Sequence, residues 1–447
     1  MDIILKNLLM KKVYLFLFFA LLSVTGMAQI AFTSGSLVVY KVGNGTDTIT
    51  NAGIAVAIDE YATNGNYVRS HPLPTILSGN NRRLIASGSA TTEGQITLSA
   101  DKHFLLVTGY DTFPDPARLS INNSTSANVN RVVGIFGADG SLDATTALDA
   151  DYSGSNIRGA ASTNGTDLWL AGTGSNSGVR YTTKGVSTSV QLSATPNPTN
   201  IRTVNIFNGQ LYVTTGSGAF KAVDSVGSGL PTTSGQTITV LSGMPNTNVT
   251  GPDPYAFAIK PVTADVIYVA DGRSKNNGGG VQKWVLAGSS WNLSYTLDSG
   301  LTTGLRNLVV DWDTPNPTIY CTNGDAYLKD MPGNKIVAVT DLDSTAEFSV
   351  IATAEPNFMF RGIAFAPEPA TMGATYTFNG NGDWNMASNW ANNAKPPATL
   401  PAGAAIVIDH AAGGQCVLNI AQSLSPGSSF TVNAGKNLVI EGSLTMQ

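Results

Sequence analysis

The chain repeats one pattern along most of its length, between residues 93 and 367. The two clearest copies begin with Asn156-Ile157-Arg158 and Asn200-Ile201-Arg202, and in each copy a glycine follows the arginine by 14 residues. Looser copies are centred on the equivalent positions Gln95, Tyr255, Arg306 and Arg361. From Arg158 onward, successive copies are 44, 53, 51 and 55 residues apart. A repeat of roughly 40–50 residues is typical of a β-propeller blade or of a helical solenoid unit.

The residue types within the repeat decide between these two architectures. β-Branched and aromatic runs alternate with Gly, Asn, Asp and Ser, which favours strands over helices. In the copy at Arg158, four short strands are predicted at residues 157–162, 167–171, 178–181 and 189–192. In the next copy, the turn Asn208-Gly209 suits a tight hairpin, and the third strand is expected at residues 219–223. Each repeat is therefore predicted to be a four-stranded blade.

Five repeats are complete, and the strands left over at the two ends combine into a sixth. A strand at residues 361–365 lacks three outer partners, and strands at 36–42, 53–61 and 67–72 lack an inner one. Pairing them would close the ring and remove exposed strand edges. The predicted fold class is all-β, a six-bladed β-propeller closed by N- and C-terminal strands in one blade, plus a small β-rich C-terminal module. Seven blades are the alternative, if two weak repeats have been merged.

The N-terminus reads as an export signal. Lys6, Lys11 and Lys12 precede an apolar stretch at residues 13–24, and Ala28 ends a small-residue cleavage motif. The stretch is shorter than the roughly 20 residues that span a bilayer, and no later segment is long enough. The expected location is secreted or periplasmic, with association with the cell surface as a further option. The predicted domains are a signal peptide (1–28), the β-propeller (29–367), a linker (368–374) and the C-terminal module (375–447).

Charge and cysteine content narrow the classes of function. The net charge of −5 argues against a nucleic-acid partner, which requires a basic face. Cys321 and Cys416 fall in different predicted domains, so no disulfide framework is expected. Both cysteines are expected to be small buried side chains.

Three strand motifs carry a resemblance to known propellers. Leu211-Tyr212-Val213-Thr214, Ile267-Tyr268-Val269-Ala270 and Ile319-Tyr320-Cys321-Thr322-Asn323 resemble the strand signatures of YVTN-type and lactonase-like propellers. Over residues 29–367 the chain resembles secreted bacterial propeller proteins. The resemblance implies a propeller fold and says little of activity, because one fold hosts many functions.

The C-terminal module carries a second resemblance. Gly382-Asp383-Trp384 and Asn389-Trp390 resemble the opening segment of surface-associated bacterial β-solenoid modules. Short strand-like runs follow at a spacing that fits either rungs of a small solenoid or a small sandwich. At about 75 residues such a domain is marginal in size.

The equivalent position of each blade is the strongest candidate for a site. In a propeller the innermost strands surround one axis, so these side chains would ring one mouth of the channel: Gln95, Arg158, Arg202, Tyr255, Arg306 and Arg361. Guanidinium groups there would favour carboxylates, phosphates or acidic sugars through bidentate hydrogen bonds. The alternative is architectural, with each arginine satisfying carbonyls of the neighbouring blade.

Other chemistry finds little support in the residues. His71, His103 and His410 do not converge in the predicted blades, so neither a histidine metal centre nor a catalytic triad is expected. No cofactor is expected, although the resemblance to lactonase-like propellers allows Ca²⁺ on aspartates near blade ends, most of which fall in turns. Four tryptophans could stack on sugars, or the first two could pack between blades: Trp284, Trp291, Trp384 and Trp390.

The sequence therefore predicts an exported, non-enzymatic β-propeller that binds a glycan, a peptide or a surface protein. A lactonase-like hydrolase or lyase acting at the propeller axis is one alternative. A structural spacer within a surface assembly is the other. An open basic mouth would favour binding, and a channel plugged by apolar side chains would favour the spacer.

Overall fold

The computed structural model describes residues 30–446, apart from 118–119, 175–176, 195, 246–250, 370–372, 402 and 426. These residues divide into two units, one ending at Glu368 and the other beginning at Pro369. The predicted export signal lies outside the described part of the chain. No helix within that part is both long and apolar enough to cross a membrane.

The first unit is a six-bladed β-propeller, as predicted. Each blade is a four-stranded antiparallel sheet, with its strands ordered from the innermost to the outermost. Blade 1 comprises Thr97–Leu98, Phe104–Tyr110, Arg131–Gly137 and Leu142–Leu148. Blade 2 comprises Ile157–Ser162, Asp167–Gly172, Arg180–Thr183 and Val190–Gln191. Blade 3 comprises Ile201–Phe207, Gln210–Thr215, Val223–Val226 and Ile238–Val240. Blade 4 comprises Pro254–Ile259, Val266–Asp271, Gly280–Ala287 and Ser290–Leu297. Blade 5 comprises Leu305–Asp311, Thr318–Asn323, Lys335–Thr340 and Ser349–Thr353. Blade 6 comprises Phe358–Phe365, Leu37–Gly43, Val56–Tyr61 and Tyr67–Pro72.

Blade 6 closes the ring with strands from both ends of the propeller, which confirms the predicted closure. Its innermost strand pairs antiparallel with Leu37–Gly43, with Leu37 opposite Phe365 and Gly43 opposite Phe358. The innermost strand also reaches blade 1, since the Gly362 amide donates to the Gly94 carbonyl at 2.9 Å. Leu37–Gly43 is thereby paired along both of its edges, because Val56–Tyr61 lies on the other side.

The core lies between blades, because alternate residues of each pleated strand face the neighbouring sheet. Val38 and Tyr40 of blade 6 are buried in one cluster with Leu105 and Val107 of blade 1. The clusters between later blades are built in the same way from Val, Ile, Leu and aromatic side chains.

Two local predictions require correction. The third strand of blade 3 lies at Val223–Val226 and not at 219–223, because Gly218–Phe220 forms a 3-10 helix that begins with Gly218 at φ 52°. The innermost strand of blade 1, predicted from the repeat at residues 95–100, is shorter and comprises Thr97–Leu98. A further two-stranded sheet pairs Gly53–Ile54 with Ala86–Ser87. The other 3-10 helices are Ile121–Asn123, Lys275–Asn277, Ala387–Asn389 and Ala391–Asn393.

The second unit consists of three three-stranded sheets whose strands pair in parallel. The sheets are formed by Thr375–Phe378, Ala405–Ile408 and Ser429–Val432, by Gly382–Asp383, Cys416–Leu418 and Leu438–Ile440, and by Thr399–Leu400, Ala421–Leu424 and Ser443–Met446. Successive turns of the chain thus stack strand on strand, which is the pairing pattern of a β-solenoid.

The tryptophans are not exposed platforms for sugars. Trp284 and Trp291 are buried at 7% and 8% exposure in the core beside blade 4. In the second unit, Trp384 and Trp390 pack edge to face with ring centroids 4.7 Å apart, and both are buried. For Trp284 and Trp291 the alternative of packing in the propeller core is confirmed, and the prediction that Trp384 and Trp390 could stack on sugars is wrong, since both fill the core of the second unit.

Candidate functional site

A β-bulge falls at the repeat position of five blades. The ladder between the innermost and second strands shifts register at Arg158, at Arg202, between Pro254 and Phe257, at Arg306, and opposite Tyr40 in blade 6. A bulge leaves the extra residue out of the ladder and turns its side chain away from the regular alternation. The repeat therefore places one side chain per blade outside the normal packing of the sheet.

Five of the six predicted residues form a continuous arc around the axis. The Arg202 guanidinium lies over the Tyr255 ring at 4.0 Å from its centroid, and that of Arg306 lies at 5.5 Å from the same ring. At the two ends of the arc, the positive charge of Arg202 helps to lower the pKa of Arg158, and that of Arg306 helps to lower the pKa of Arg361. The sixth residue, Gln95, is buried and accepts a hydrogen bond from Thr203 Oγ1 at 3.4 Å.

Three of the four arginines bond to the next blade. Arg158 donates to Asn200 Oδ1 at 2.6 Å and to the Ile201 carbonyl at 3.0 Å. Arg202 pairs with Asp253 Oδ1 at 2.6 Å. Arg361 donates to the carbonyls of Ser87 and Gly88 at 2.6 and 2.8 Å, and its Nη1 lies 3.7 Å from Glu93 Oε2. For these three residues the contacts are those of the architectural alternative.

The partners themselves obey a repeat rule. Asn200, Asp253 and Glu93 each stand two residues before the repeat position of their own blade. Each receives the guanidinium of the blade that precedes it around the ring. At three of the six blade boundaries, this partner position thus neutralises or satisfies the arginine of the preceding blade.

Arg306 lacks such a partner because Met359 occupies the partner position of blade 6. Among the described residues, Arg306 makes no ion pair with a carboxylate, and its Nε is buried without a hydrogen-bond partner. Nη1 of the adjacent Arg361 is likewise without a hydrogen bond among these residues. A buried unbonded donor costs about 1–3 kcal/mol, more when it is charged, so a group that accepts from it would be stabilised there.

A cavity of about 360 Å³ opens beside these two guanidinium groups. Its walls come from blades 5 and 6 and from the loops that adjoin them, and they include Arg306, Asn307, Asp325, Tyr327, Met359 and Arg361. Gly324 also lines it, and a Cβ there would stand 3.7 Å from Arg306 Nε. The volume lies in the range of small-molecule sites, roughly 300–1,000 Å³.

The charges around the cavity leave an excess of one positive charge. Arg306, Arg361 and Lys335 face two carboxylates, Glu93 on Arg361 and Asp325 at 2.8 Å from Lys335. Burial would raise the pKa of Asp325, but hydrogen bonds from Lys335, Asn323 and Thr303 hold it below its usual value. Burial raises the pKa of Glu93 in spite of the Arg361 guanidinium. Three cations against two carboxylates favour an anionic ligand.

Two of the four arginines, Arg158 and Arg361, are buried, and burial lowers the pKa of both. Burial, together with the neighbouring Arg202, lowers the pKa of Arg158 to about 10. Both groups stay protonated at neutral pH, because their hydrogen-bond partners are acceptors.

Sequence reasoning singled out the repeat position, and it included Asp325 among the aspartates near blade ends, but it missed three side chains of the site: Glu93, Asn307 and Met359. For Glu93 and Met359 a signal was present, namely the constant offset of two residues from the repeat position. Asn307 follows Arg306 directly, and nothing in the sequence distinguishes it from a turn residue. Asp325 lies in a loop after Thr318–Asn323, outside any repeated motif.

No metal centre is built from the described residues: nowhere do three His, Cys, Asp or Glu side chains lie close enough to hold an ion. The aspartates near blade ends serve the protein itself. Asp271 pairs with Arg273 at 2.8 Å, and Asp265 accepts a hydrogen bond from Thr263 at 2.6 Å. Cys321 and Cys416 are both free and buried.

Comparison with solved structures finds matches at low similarity. One is a dihydro-heme d1 dehydrogenase, NirN, at 10% identity and a TM-score of 0.36, covering 73% of this chain and 57% of that one. Another is the β-propeller domain of the Trilobed protease from Pyrococcus furiosus, at 10% identity and a TM-score of 0.35, covering 72% and 84%. A third is a GH74 xyloglucanase from Xanthomonas campestris, at 11% identity and a TM-score of 0.38, covering 70% and 45%. The chain thus spans little more than half the length of the dehydrogenase.

These likenesses concern the fold alone, and the proteins include enzymes of unrelated chemistry, so they say nothing of what this chain binds. No protein-family model matches the chain, and no curated protein does.

Proposed function

We propose that this chain is an exported, non-enzymatic binding protein that holds an anionic ligand beside Arg306 at the propeller axis. The observation that carries the proposal is the guanidinium of Arg306, which no carboxylate of the described residues pairs and which lines a cavity where its repeat partner would otherwise stand. A ligand oxygen would accept from Arg306 as Asn200, Asp253 and Glu93 do from the arginines at three other blade boundaries.

A binding role accounts for the site better than catalysis does. The cavity contains cationic and amide groups, and the one carboxylate among its described lining residues, Asp325, is bonded by Lys335, Asn323 and Thr303. Glu93 is buried and accepts from Tyr110 and Asn156, so it is committed to the structure. A general acid or base needs access to the proton that it transfers, and buried Glu93 does not line the cavity. Asp325 does line it, but the hydrogen bonds from Lys335, Asn323 and Thr303 outweigh its burial, lower its pKa and so weaken it as a base.

The direct test removes the free guanidinium. With Arg306→Gln, acetate and phosphate should bind about 10- to 100-fold more weakly, since a hydrogen bond to a charged group contributes about 1.5–3 kcal/mol. Binding is measured by calorimetry at constant ionic strength. The matched control is Arg82→Gln, whose half-exposed side chain lies outside the cavity. Equal loss in both variants, or none in either, would contradict the proposal.

A second variant supplies the missing partner. Met359→Glu places a carboxylate at the partner position of blade 6, as Glu93 does in blade 1. We expect this variant to be more heat-stable than the native chain without ligand, and insensitive to added acetate. Met359→Leu, which keeps the site apolar, should retain the response to acetate, because only a ligand that prefers the folded state raises its stability.

The same titrations test the metal-dependent alternative. A loss of several degrees in Tm on adding EDTA, restored by Ca²⁺, would favour a lactonase-like enzyme over the binding protein. Unchanged Tm in EDTA, together with stabilisation by anions, is the outcome that we expect.

A further inference from the structure

Asn307 places a hydrogen-bond acceptor in the same cavity as the two arginines. Its side chain is 3% exposed, and its Oδ1 has no hydrogen-bond partner in the described part of the chain. Its Nδ2 donates to Thr322 Oγ1 at 3.0 Å. The Thr322 hydroxyl donates its only hydrogen to the Arg361 carbonyl at 2.7 Å, so it must accept from Asn307. That constraint fixes the amide orientation and leaves Oδ1 as the free atom.

The cavity therefore requires two kinds of group from one ligand. Arg306 Nε and Arg361 Nη1 need an acceptor, and Asn307 Oδ1 needs a donor. Asp325 adds further acceptor capacity at the wall, because its Oδ1 receives a single hydrogen bond from the described residues, from Thr303 at 2.9 Å. Inorganic phosphate would satisfy the arginines and has a P–OH group that can donate to Asn307, but it has no carbon surface.

The rest of the wall is carbon. Ile49, Met359 and Phe360 line it with apolar surface. The Tyr327 hydroxyl donates to Asn357 Oδ1 at 2.8 Å and accepts from the Ile49 amide at 3.2 Å, so Tyr327 offers the cavity its ring rather than a hydrogen bond. Apolar surface of this kind suits the C–H faces of a saturated ring.

We propose that the ligand is a hexuronate, a sugar acid whose carboxylate lies on Arg306 and Arg361 and whose ring hydroxyls donate to Asn307 Oδ1 and Asp325. The proposal rests on the function proposed above and adds the chemical class of the ligand. The volume of about 360 Å³ accommodates one monosaccharide unit, either free or at the end of a longer acidic chain.

The test compares ligands on the unaltered protein, where folding is not in question. Calorimetry is run with glucuronate, with cyclohexanecarboxylate, which keeps the ring and the charge but lacks hydroxyls, with glucose, which lacks the charge, and with phosphate. The hydroxyl bonds to Asn307 and to the Asp325 carboxylate should make glucuronate bind about tenfold or more tightly than cyclohexanecarboxylate. The carboxylate bonds to the two arginines should give a preference of similar size over glucose. Phosphate, which offers no carbon surface to the wall, should also bind more weakly.

A variant links the preference to Asn307. In Asn307→Leu, the advantage of glucuronate over cyclohexanecarboxylate should shrink to the part that Asp325 contributes, so glucuronate should lose more affinity than cyclohexanecarboxylate does. The exposed Asn292→Leu serves as control and should keep the full preference.

The two proposals fail in different ways. Equal affinity for glucuronate and cyclohexanecarboxylate, or for glucuronate and glucose, would overturn the hexuronate proposal. The anion site would still stand if Arg306→Gln weakens the binding of anions by about 10- to 100-fold. Failure of every anion to bind would overturn both.

Discussion

At the scale of single residues, Asp224 is the group most at odds with its surroundings. It lies in the third strand of blade 3, opposite Val213 and Val240, with 0% exposure. Neither carboxyl oxygen has a hydrogen-bond partner within the described structure. Burial alone raises the pKa of Asp224 to about 9, so the side chain is neutral at pH 7.

This shift predicts a stability that falls as the pH rises. The pKa in the folded state lies above the unfolded value of about 3.9, so the folded state holds an extra proton between about pH 4 and pH 9. Over that window Asp224 should cost up to about 1.4 kcal/mol of stability per pH unit. Asp224→Asn removes the titration, so the Tm difference between variant and native protein should grow in favour of the variant from pH 5 to pH 9.

The exposed Asp313→Asn is the control for this experiment and should show no such trend. A constant Tm difference for Asp224→Asn across the pH range would mean that the carboxyl finds a partner or solvent in solution.

At the scale of elements, the long insertion of blade 1 depends on Arg131. The segment between Tyr110 and Arg131 connects the second and third strands of blade 1. The Arg131 side chain at its end is fully buried. Its guanidinium donates to the carbonyls of Asn122, Ser124, Val129 and Ser155 and to Ser124 Oγ at 2.6–3.2 Å. The positive charge is thus spread over backbone carbonyls and not paired with a carboxylate of the described residues.

If these hydrogen bonds are removed, the insertion should unfold more easily than the four strands of blade 1. We expect Arg131→Met to lower the free energy of unfolding by about 3 kcal/mol or more, because several buried carbonyls lose their donor. Limited proteolysis should then cut first between Tyr110 and Arg131. Arg131→Lys keeps the charge without the planar fork and should give a smaller loss. Cleavage elsewhere, at unchanged stability, would show that the insertion is held by other contacts.

The elements themselves were largely predictable, and the exceptions have physical causes. The blade order and the split sixth blade follow from strands spaced at repeat intervals, and both are confirmed. The third strand of blade 3 was misplaced because the apolar residues Ala219 and Phe220 read as a strand, whereas Gly218 takes a positive φ and starts a 3-10 turn. Asp224, in an alternating strand, reads as a solvent-facing residue; which face is buried depends on the neighbouring blade.

The candidate site was predictable only in part. The repeat position was visible in the sequence, since Arg158 and Arg202 recur in matching contexts. Which arginine stays unpaired depends on the residue two before the next repeat position. For Arg306 that residue is Met359, which lies in the strand that pairs with the N-terminal strand Leu37–Gly43. The cavity walls formed by Ile49 and Tyr327 come from loops that no repeat relates.

At the scale of the whole molecule, the terminal strand of the propeller closes the ring. Phe358–Phe365 supplies the innermost strand of blade 6 and the residues Met359 and Arg361 of the site. The second unit has its own core, built from residues after Thr375. The closure therefore belongs to the propeller alone.

Truncation separates these roles. A chain ending after Glu368 should unfold in one cooperative transition and bind anions as the full chain does. A chain ending after Asn357 loses the inner strand, exposes the edge of Leu37–Gly43, and should aggregate or unfold at much lower temperature. Calorimetry and size-exclusion chromatography distinguish the two. A folded monomer from the shorter chain would show that five complete blades are self-sufficient.

The partner position of each arginine lies two residues before the repeat position of the next blade, so each arginine can gain or lose its partner independently of the others. At the four boundaries where the repeat position is an arginine, the partner position determines whether the protein itself satisfies that guanidinium or leaves it available to a ligand. An exchange of side chain at a partner position leaves the strand pairing intact, because the ladder is formed by backbone N–H and C=O groups. Two substitutions would therefore be enough to move the anion site to another boundary that carries an arginine. One would supply a partner for Arg306, and the other would remove the partner of a different arginine.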